Sequence, residues 1–416
     1  MTDYRPLEDD PAAFHEYRSY AFSPGDGPVA YDPNEHETRR TRLGERRGLY
    51  VEADDVPRCV CRHYWLEARV RGEDHPAAGL ASVATPPEYR RRGYVARLLE
   101  RSLEEYRERG SLVSILWPFG YAFYRRYGWE TANRLAIHEC DPSVLSFARE
   151  EYDREDGRFR RLEARDFSTL EAAYVAHRDR YAISLERDEA WWRHRIFDGH
   201  GTAPFVYAYE RDGDVRGYLV YEIEDRSGDE TRRGRTMAVS ELVAVDHDAL
   251  LALLAFCADH DPQVERVRFR VPEDLPIRET VRDPDEVETA LETGPMVRLV
   301  DAAETLSALS YPPMDANLTL AVEDPLVEWN DATFELSVAD GRATCERLVG
   351  LGDADPDTSA SVDARLDVAA LSQLVVGART ASDLERTGRL ETHGPETTST
   401  LETLFPEAAV YLGHHF

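Results

Sequence analysis

The chain has 416 residues, room for two or three domains, and its 42% hydrophobic share with 14 Phe, 6 Trp and 21 Tyr can fill cores, which excludes wholesale disorder. Its 50 basic residues are all arginine and face 80 acidic ones; a formal charge of −30 argues against nucleic-acid binding, because phosphate contacts need basic patches. No apolar run reaches the ~18 residues of a membrane span, and the polar, acidic stretch 1–10 is no signal peptide, so a cytoplasmic protein is expected.

Self-repulsion at −30 would strain a compact fold in dilute buffer. At ~1 M salt the screening length falls to ~3 Å and that strain fades. Acids spread along the whole chain, with no lysine, therefore point to the salt-rich interior of a halophile, ahead of an acidic surface for a basic partner.

In residues 1–141 the pattern predicts a helix over 12–22, a partly looped stretch over 35–50, and strands over 49–51 and 59–70 joined at Asp54-Asp55. A turn at Gly72-Glu73-Asp74 leads to a strand over 77–85, which Pro86-Pro87 stops. Val95, Leu98, Leu99, Leu103 and Tyr106 then recur at helical spacing opposite Arg97, Glu100, Arg101 and Glu104, with Gly110 where a helix end is expected. A strand over 112–117, a short helix over 121–127 and a strand over 129–139 complete a mixed α/β domain.

Residues 142–294 repeat that order without repeating side chains: a helix over 166–178, a hairpin of 205–209 and 215–223, a strand over 236–245, a helix over 248–259 and a strand over 264–271. A polar stretch over 272–292 leads outward. Residues 295–416 read as α+β, with strands over 296–299 and 318–322, alternation at Phe334, Leu336 and Val338, a loop over 353–361, and helices over 367–376 and 401–405.

The sharpest chemical signal is the run from Pro87 to Leu99, where a strand ends, Arg90-Arg91-Arg92 follow, and an amphipathic helix opens at Gly93. The first turn of a helix leaves about four N–H groups unpaired and carries partial positive charge. Glycine admits a ligand to that backbone and arginines add charge-assisted contacts, a construction suited to a diphosphate. A plain helix start with solvated arginines is the alternative on spacing alone. Cys59, Cys61, Cys140, Cys257 and Cys345 are scattered, and His414-His415 have no third ligand beside them, so no metal is expected. Gly-x-Ser-x-Gly and His-Glu-x-x-His are absent.

The arginine turn resembles the acetyl-CoA signature of the GNAT N-acetyltransferases, Arg/Gln-x-x-Gly-x-Gly/Ala, read here as Arg90-x-x-Gly93-x-Val95 with valine at the last position. The stretch from Leu116 to Trp129, with Trp191-Trp192-Arg193, Asp324-Pro325 and Trp329-Asn330, resembles the Eis (enhanced intracellular survival) acetyltransferases. The resemblance spans the chain end to end. It implies tandem GNAT-like domains (1–141 and 142–294, each a mixed sheet with flanking helices) and a sterol-carrier-like domain (295–416). It implies acetyl-CoA as co-substrate, held by backbone groups of Val83, Ala84 and Thr85 and by Arg91, Arg92, Gly93, Tyr94, Val95, Ala96, Phe119 and Gly120.

The resemblance also makes Tyr124 the general acid that returns a proton to the CoA thiolate, and the carboxylate of Phe416 the general base for a primary amine. A phenol of pKa ~10 is protonated at neutral pH and suits a thiolate of pKa ~8.5. Expected acceptors are an aminoglycoside, a polyamine or a lysine side chain, and the expected assembly is a homo-hexamer. His415 stands where an acidic residue is expected. In the second domain Asp246-His247-Asp248 replaces the arginine turn, so that copy is not expected to take CoA. The competing reading is a non-catalytic CoA-binding or regulatory protein that kept the fold, favoured by Val95 and His415.

Overall fold

The computed structural model describes residues 2–7, 10–36, 43–51, 55–152, 157–199, 202–225, 234–350 and 362–416; the expected turn at Asp54 and the loop 353–361 lie outside them. The chain packs as two units, one of residues 1–132, 295–410 and 416, the other of residues 133–294 and 411–415. Among the described residues no helix is long and apolar enough to cross a membrane.

Among its described residues the first unit holds two sheets. One contains β1 (Thr2–Pro6), β2 (Glu45–Val51), β3 (Cys59–Val70), β4 (Glu73–Ala84), β5 (Val113–Leu116) and β6 (Glu130–Thr131). Its seventh strand comes from far along the chain: β14 (Met296–Leu299) lies between β5 and β6, giving the order β1-β2-β3-β4-β5-β14-β6. Only β4 and β5 pair in parallel. The helix Tyr94–Glu108 covers this sheet with Leu98, Leu99, Leu103 and Tyr106, all wholly buried, and ends at Gly110 (φ 72) as its spacing predicts. The β3–β4 turn is Arg71-Gly72, both left-handed, one residue earlier than the expected turn, so β4 already begins at Glu73.

The expected strand over 129–139 is two strands that part at Ala132-Asn133. β6 stays in the first sheet, whereas β7 (Arg134–Cys140) pairs with β12 (Arg266–Pro272) in the second unit. The expected strand over 296–299 exists, but it completes the first sheet rather than opening the third domain. Alternation specifies which face of a strand is buried and leaves its partner open.

The second sheet of the first unit orders its strands β17-β16-β15-β18-β19. These are β15 (Ala316–Glu323), β16 (Ala332–Ala339), β17 (Arg342–Gly350), β18 (Ala364–Asp367) and β19 (Leu390–Thr392). The helix Val368–Val376 is buried throughout; its Ser372 hydroxyl accepts from Leu299 N at 2.9 Å and its Gln373 amide donates to Thr131 O at 2.8 Å. The last carbonyls of that helix, Leu374 O and Val375 O, accept from the Arg71 guanidinium at 2.6 and 2.7 Å.

Among its described residues the second unit holds one sheet, ordered β13-β7-β12-β11-β10-β9-β8. Its other strands are β8 (Gly157–Arg161), β9 (Phe205–Arg211), β10 (Asp214–Asp225), β11 (Arg235–Ala244) and β13 (Glu288–Thr293). Here too a single pair, β11 with β12, is parallel. The helix His247–Ala258 buries nearly all its side chains against this sheet. The polar stretch expected to lead outward instead returns, and β13 pairs with β7 as a fully exposed edge strand.

Candidate active site

Strand β4 makes the site. Its pairing with β5 runs only from Ala77–Val113 to Leu80–Leu116. Just beyond, the register against β3 slips: Arg62 faces Ala81 but Val60 faces Ala84, so Ser82 and Val83 share one opposing residue, Cys61. Ser82 sits at φ 54, a left-handed conformation that costs a non-glycine residue on the order of 1–2 kcal/mol. Such a bulge breaks the ladder and bends the strand. β4 therefore leaves β5, and a cleft of about 720 Å³ is lined on this side by Val83, Ala84 and Thr85.

The helix Tyr94–Glu108 supplies the facing wall. Gly93, at φ 77, holds the N-cap position with no side-chain cap, so the N–H groups of Tyr94, Val95 and Ala96 have no acceptor within the helix. A Cβ at Gly93 would meet nothing within 4 Å. Arg90 lines the cleft yet turns back, its Nε donating to Thr85 O at 2.9 Å and its guanidinium 5.4 Å from the Tyr20 ring. Arg91 (φ 59) and Arg126 line the cleft as well. Two arginines and an uncapped helix end at one cleft fit a diphosphate.

Of the residues expected to hold acetyl-CoA, Val83, Ala84, Thr85, Arg91, Gly93, Tyr94, Val95, Ala96 and Phe119 line this cleft. Arg92 and Gly120 do not. Arg92 is exposed on the turn between left-handed Arg91 and Gly93, which reverse the chain on either side of it. Gly120 is the extended residue (φ −163) from which the helix Tyr121–Arg125 starts. Sequence reasoning missed Ala21, Phe22, Tyr89, Phe123, Arg126 and Tyr127, which complete the lining. Phe123 and Tyr127, aromatic residues one and three positions from Tyr124, were a usable signal; the arrival of the N-terminal helix Pro11–Phe22 was not.

Tyr124 is buried beneath that wall, 4% exposed, with ring centroids 5.6 Å from Phe119, 5.1 Å from Phe123 and 6.3 Å from Trp129. Burial, with the Cys61 thiol nearby, pushes the phenol above its ordinary range and keeps it protonated. The turn after Tyr124 is clamped. Arg298, on β14 and wholly buried, donates from Nη1 to Tyr127 O and from Nη2 to Asp324 Oδ2, both at 2.5 Å. Gly128, at φ 84, leaves the space that this guanidinium fills. Asp324 also accepts from Asn330 Nδ2 at 3.1 Å and from the backbone of Leu326 and Val327 at 2.9 and 3.2 Å.

Phe416 also belongs to the first unit. Its ring lies 5.3 Å from that of Tyr64 on β3, and a Cβ on Gly79 of β4 would come within 2.7 Å of it. A glycine inside a strand pattern often marks such a close approach, a signal the sequence carried at Gly79.

The second unit shows the contrast. The helix His247–Ala258 is capped by Asp246, which accepts from Ala249 N at 2.8 Å and binds Arg211 and Arg216. Its N-terminus is thus closed by a carboxylate. No group of three or more His, Cys, Asp or Glu suited to a metal occurs among the described residues.

Residues 3–132 and 184–299 match two family models, each described as an acetyltransferase (GNAT) domain, and residues 302–413 match a sterol carrier protein domain. A Streptomyces griseus protein named as an uncharacterized N-acetyltransferase is 27% identical over 369 residues, 85% of each chain. The N-acetyltransferase Eis of Mycobacterium tuberculosis is 26% identical over 344 residues, 79% of this chain and 78% of that one. The solved structure of Eis1 from Mycobacterium abscessus matches all of both chains with a TM-score of 0.75 at 25% identity. A probable N-acyltransferase from Enterococcus faecalis shares the fold, with a TM-score of 0.85 at 18% identity and all of both chains covered. Two GNAT domains and a sterol-carrier-like domain account for the three sheets.

Proposed function

We propose that this chain, which carries two GNAT acetyltransferase domains and resembles the Eis N-acetyltransferases, moves acetyl from acetyl-CoA to a primary amine by direct attack within a ternary complex. The observation that carries the reading is the cleft itself: a bulged, diverging strand on one side, an uncapped helix end with Arg91 and Arg126 on the other, and a protonated tyrosine beneath.

The N–H groups of Tyr94, Val95 and Ala96, with the two arginines, bind the diphosphate. Backbone groups of Val83, Ala84 and Thr85 pair with the pantetheine arm, and N–H groups freed at the bulge polarise the thioester carbonyl. The Phe416 carboxylate takes the ammonium proton of the acceptor, directly or through water. The amine nitrogen then bonds to the carbonyl carbon. As the tetrahedral intermediate collapses, the C–S bond breaks, Tyr124 Oη delivers its proton to the departing thiolate, and the second proton of the acetylated nitrogen leaves through water, which restores the phenol.

The acceptor is an aminoglycoside, a polyamine or a lysine side chain, a choice supported by the Eis resemblance. The same resemblance supports a homo-hexamer, and the lysine-free acidic composition supports a salt-rich cytoplasm. The test is release of free thiol from acetyl-CoA at molar salt with a panel of such amines. Turnover with at least one is expected; acetyl-CoA binding without turnover on any would overturn the reading in favour of a regulator. Extending the chain beyond Phe416 should abolish turnover, and full activity of an extended form would remove the carboxylate from the mechanism.

A further inference from the structure

The second unit repeats the device that opens the cleft in the first. β11 pairs in parallel with β12 from Thr236–Arg266 to Val239–Phe269. Directly after, the register against β10 (Asp214–Asp225) slips: Tyr221 faces Val239 but Val220 faces Glu241, leaving Ser240 as an extra residue. As on β4, a bulge follows the last parallel pair, and a helix follows the strand. What differs is the occupant.

Glu241, 5% exposed, carries a carboxylate at this bulge. It accepts from Arg187 Nη2 at 2.9 Å and from Tyr218 Oη at 2.7 Å, and His414 Nε2 lies 3.3 Å from its other oxygen. Arg187 stacks on Tyr174, its guanidinium 3.7 Å from the ring centroid. The residues around His414 are held by the same unit. Tyr411 N donates to Ala182 O at 3.1 Å, Leu412 N to Asn133 Oδ1 at 3.4 Å, and Arg270 Nη1 to Gly413 O at 2.5 Å. The Tyr411 ring lies 5.4 Å from Tyr181, and its hydroxyl takes the place a Cβ on Gly413 would need.

We propose that the bulged strand of the second unit, counterpart of the strand that lines the cleft, has become the seat of residues 411–415, with Glu241, Arg187 and Arg270 as positioning residues. An ion pair this deeply buried is a costly construction, since removing one partner strands the other charge. Here it presents one carboxylate oxygen to an imidazole from a distant part of the sequence. The seat therefore holds the segment that directly precedes Phe416 in the sequence, and the functional half of the proposal rests on the reading of Phe416 as the base.

The experiment measures hydrogen exchange and steady-state kinetics on the full chain carrying His414→Ala or, separately, Arg270→Gln. Exchange in the peptide 406–416 should quicken about tenfold or more while that of the helix His247–Ala258 is unchanged. kcat should fall about tenfold with the KM for acetyl-CoA within about twofold, a split that general unfolding does not give. Unchanged exchange of 406–416 in both variants would overturn the seat, whatever the kinetics. Faster exchange with unaltered kcat would keep the seat and discard Phe416 as the base.

Discussion

Replacing Asp324 by alanine leaves the wholly buried Arg298 guanidinium without its counter-charge. Loss of one partner of a buried pair costs about 3–5 kcal/mol. The same change removes one of the two acceptors of Asn330 Nδ2, which keeps Val300 O, and the side-chain acceptor of two backbone N–H groups, at Leu326 and Val327. These share one carboxylate with Arg298, so their costs overlap, and a loss near the top of that range is expected. Removing both charges together, as Arg298→Met with Asp324→Leu, strands no ion but still leaves the Leu326 and Val327 N–H groups without that acceptor, so it should recover about 1–2 kcal/mol of the loss rather than all of it. Urea unfolding at fixed molar salt, followed by tryptophan fluorescence, reads this directly, because the Trp129 ring is 5.1 Å from the Arg298 guanidinium. A single variant that loses less than about 1 kcal/mol, or a double variant as unstable as the single one, would refute the reasoning.

Tyr124→Phe should lower kcat by about 10²-fold with acetyl-CoA binding retained; an unchanged kcat in the thiol-release assay would rule out the acid role proposed for it. Gly79→Val places a side chain where the Phe416 ring lies, so kcat should fall about tenfold and the KM for acetyl-CoA should hold, as initial rates will show. Gly93→Ala puts a Cβ on a residue at φ 77 beside the expected diphosphate, and calorimetry should find acetyl-CoA bound about tenfold more weakly. Burial lowers the His177 imidazole from 6.5 to about 4, so between those values the unfolded chain binds the extra proton. Stability present above pH 6.5 should therefore drop by about 3 kcal/mol as pH falls to 4, and Tm measured against pH should flatten in His177→Gln.

The helix Tyr94–Glu108, its end at Gly110 and the arginine turn before it were legible because periodicity, capping and charge all report local geometry. Partners were not. Nothing in residues 129–139 says that the strand must part at Ala132-Asn133, and nothing in residues 296–299 says which sheet they enter, since alternation is blind to neighbours. The bulge at Ser82 was equally hidden, because a left-handed serine carries no compositional mark and is imposed by the strands around it. The Eis resemblance supplied Tyr124 and Phe416, but not Arg298, whose single charge reaches Tyr127 O and Asp324 only after folding.

The place of β14 in the first sheet also sets an order of events during synthesis. β5 exposes no side chain in the finished protein, and its outer edge is satisfied only by residues 296–299. Until the ribosome has made the intervening 117–295, that apolar edge has no native partner. At ~5–20 residues per second the wait is on the order of ten seconds or more, long enough for a nascent chain to need a chaperone. The segment 1–132 is then a family unit by sequence but not a folding unit, and a fragment cut there should aggregate through β5 unless residues 295–299 are supplied in trans.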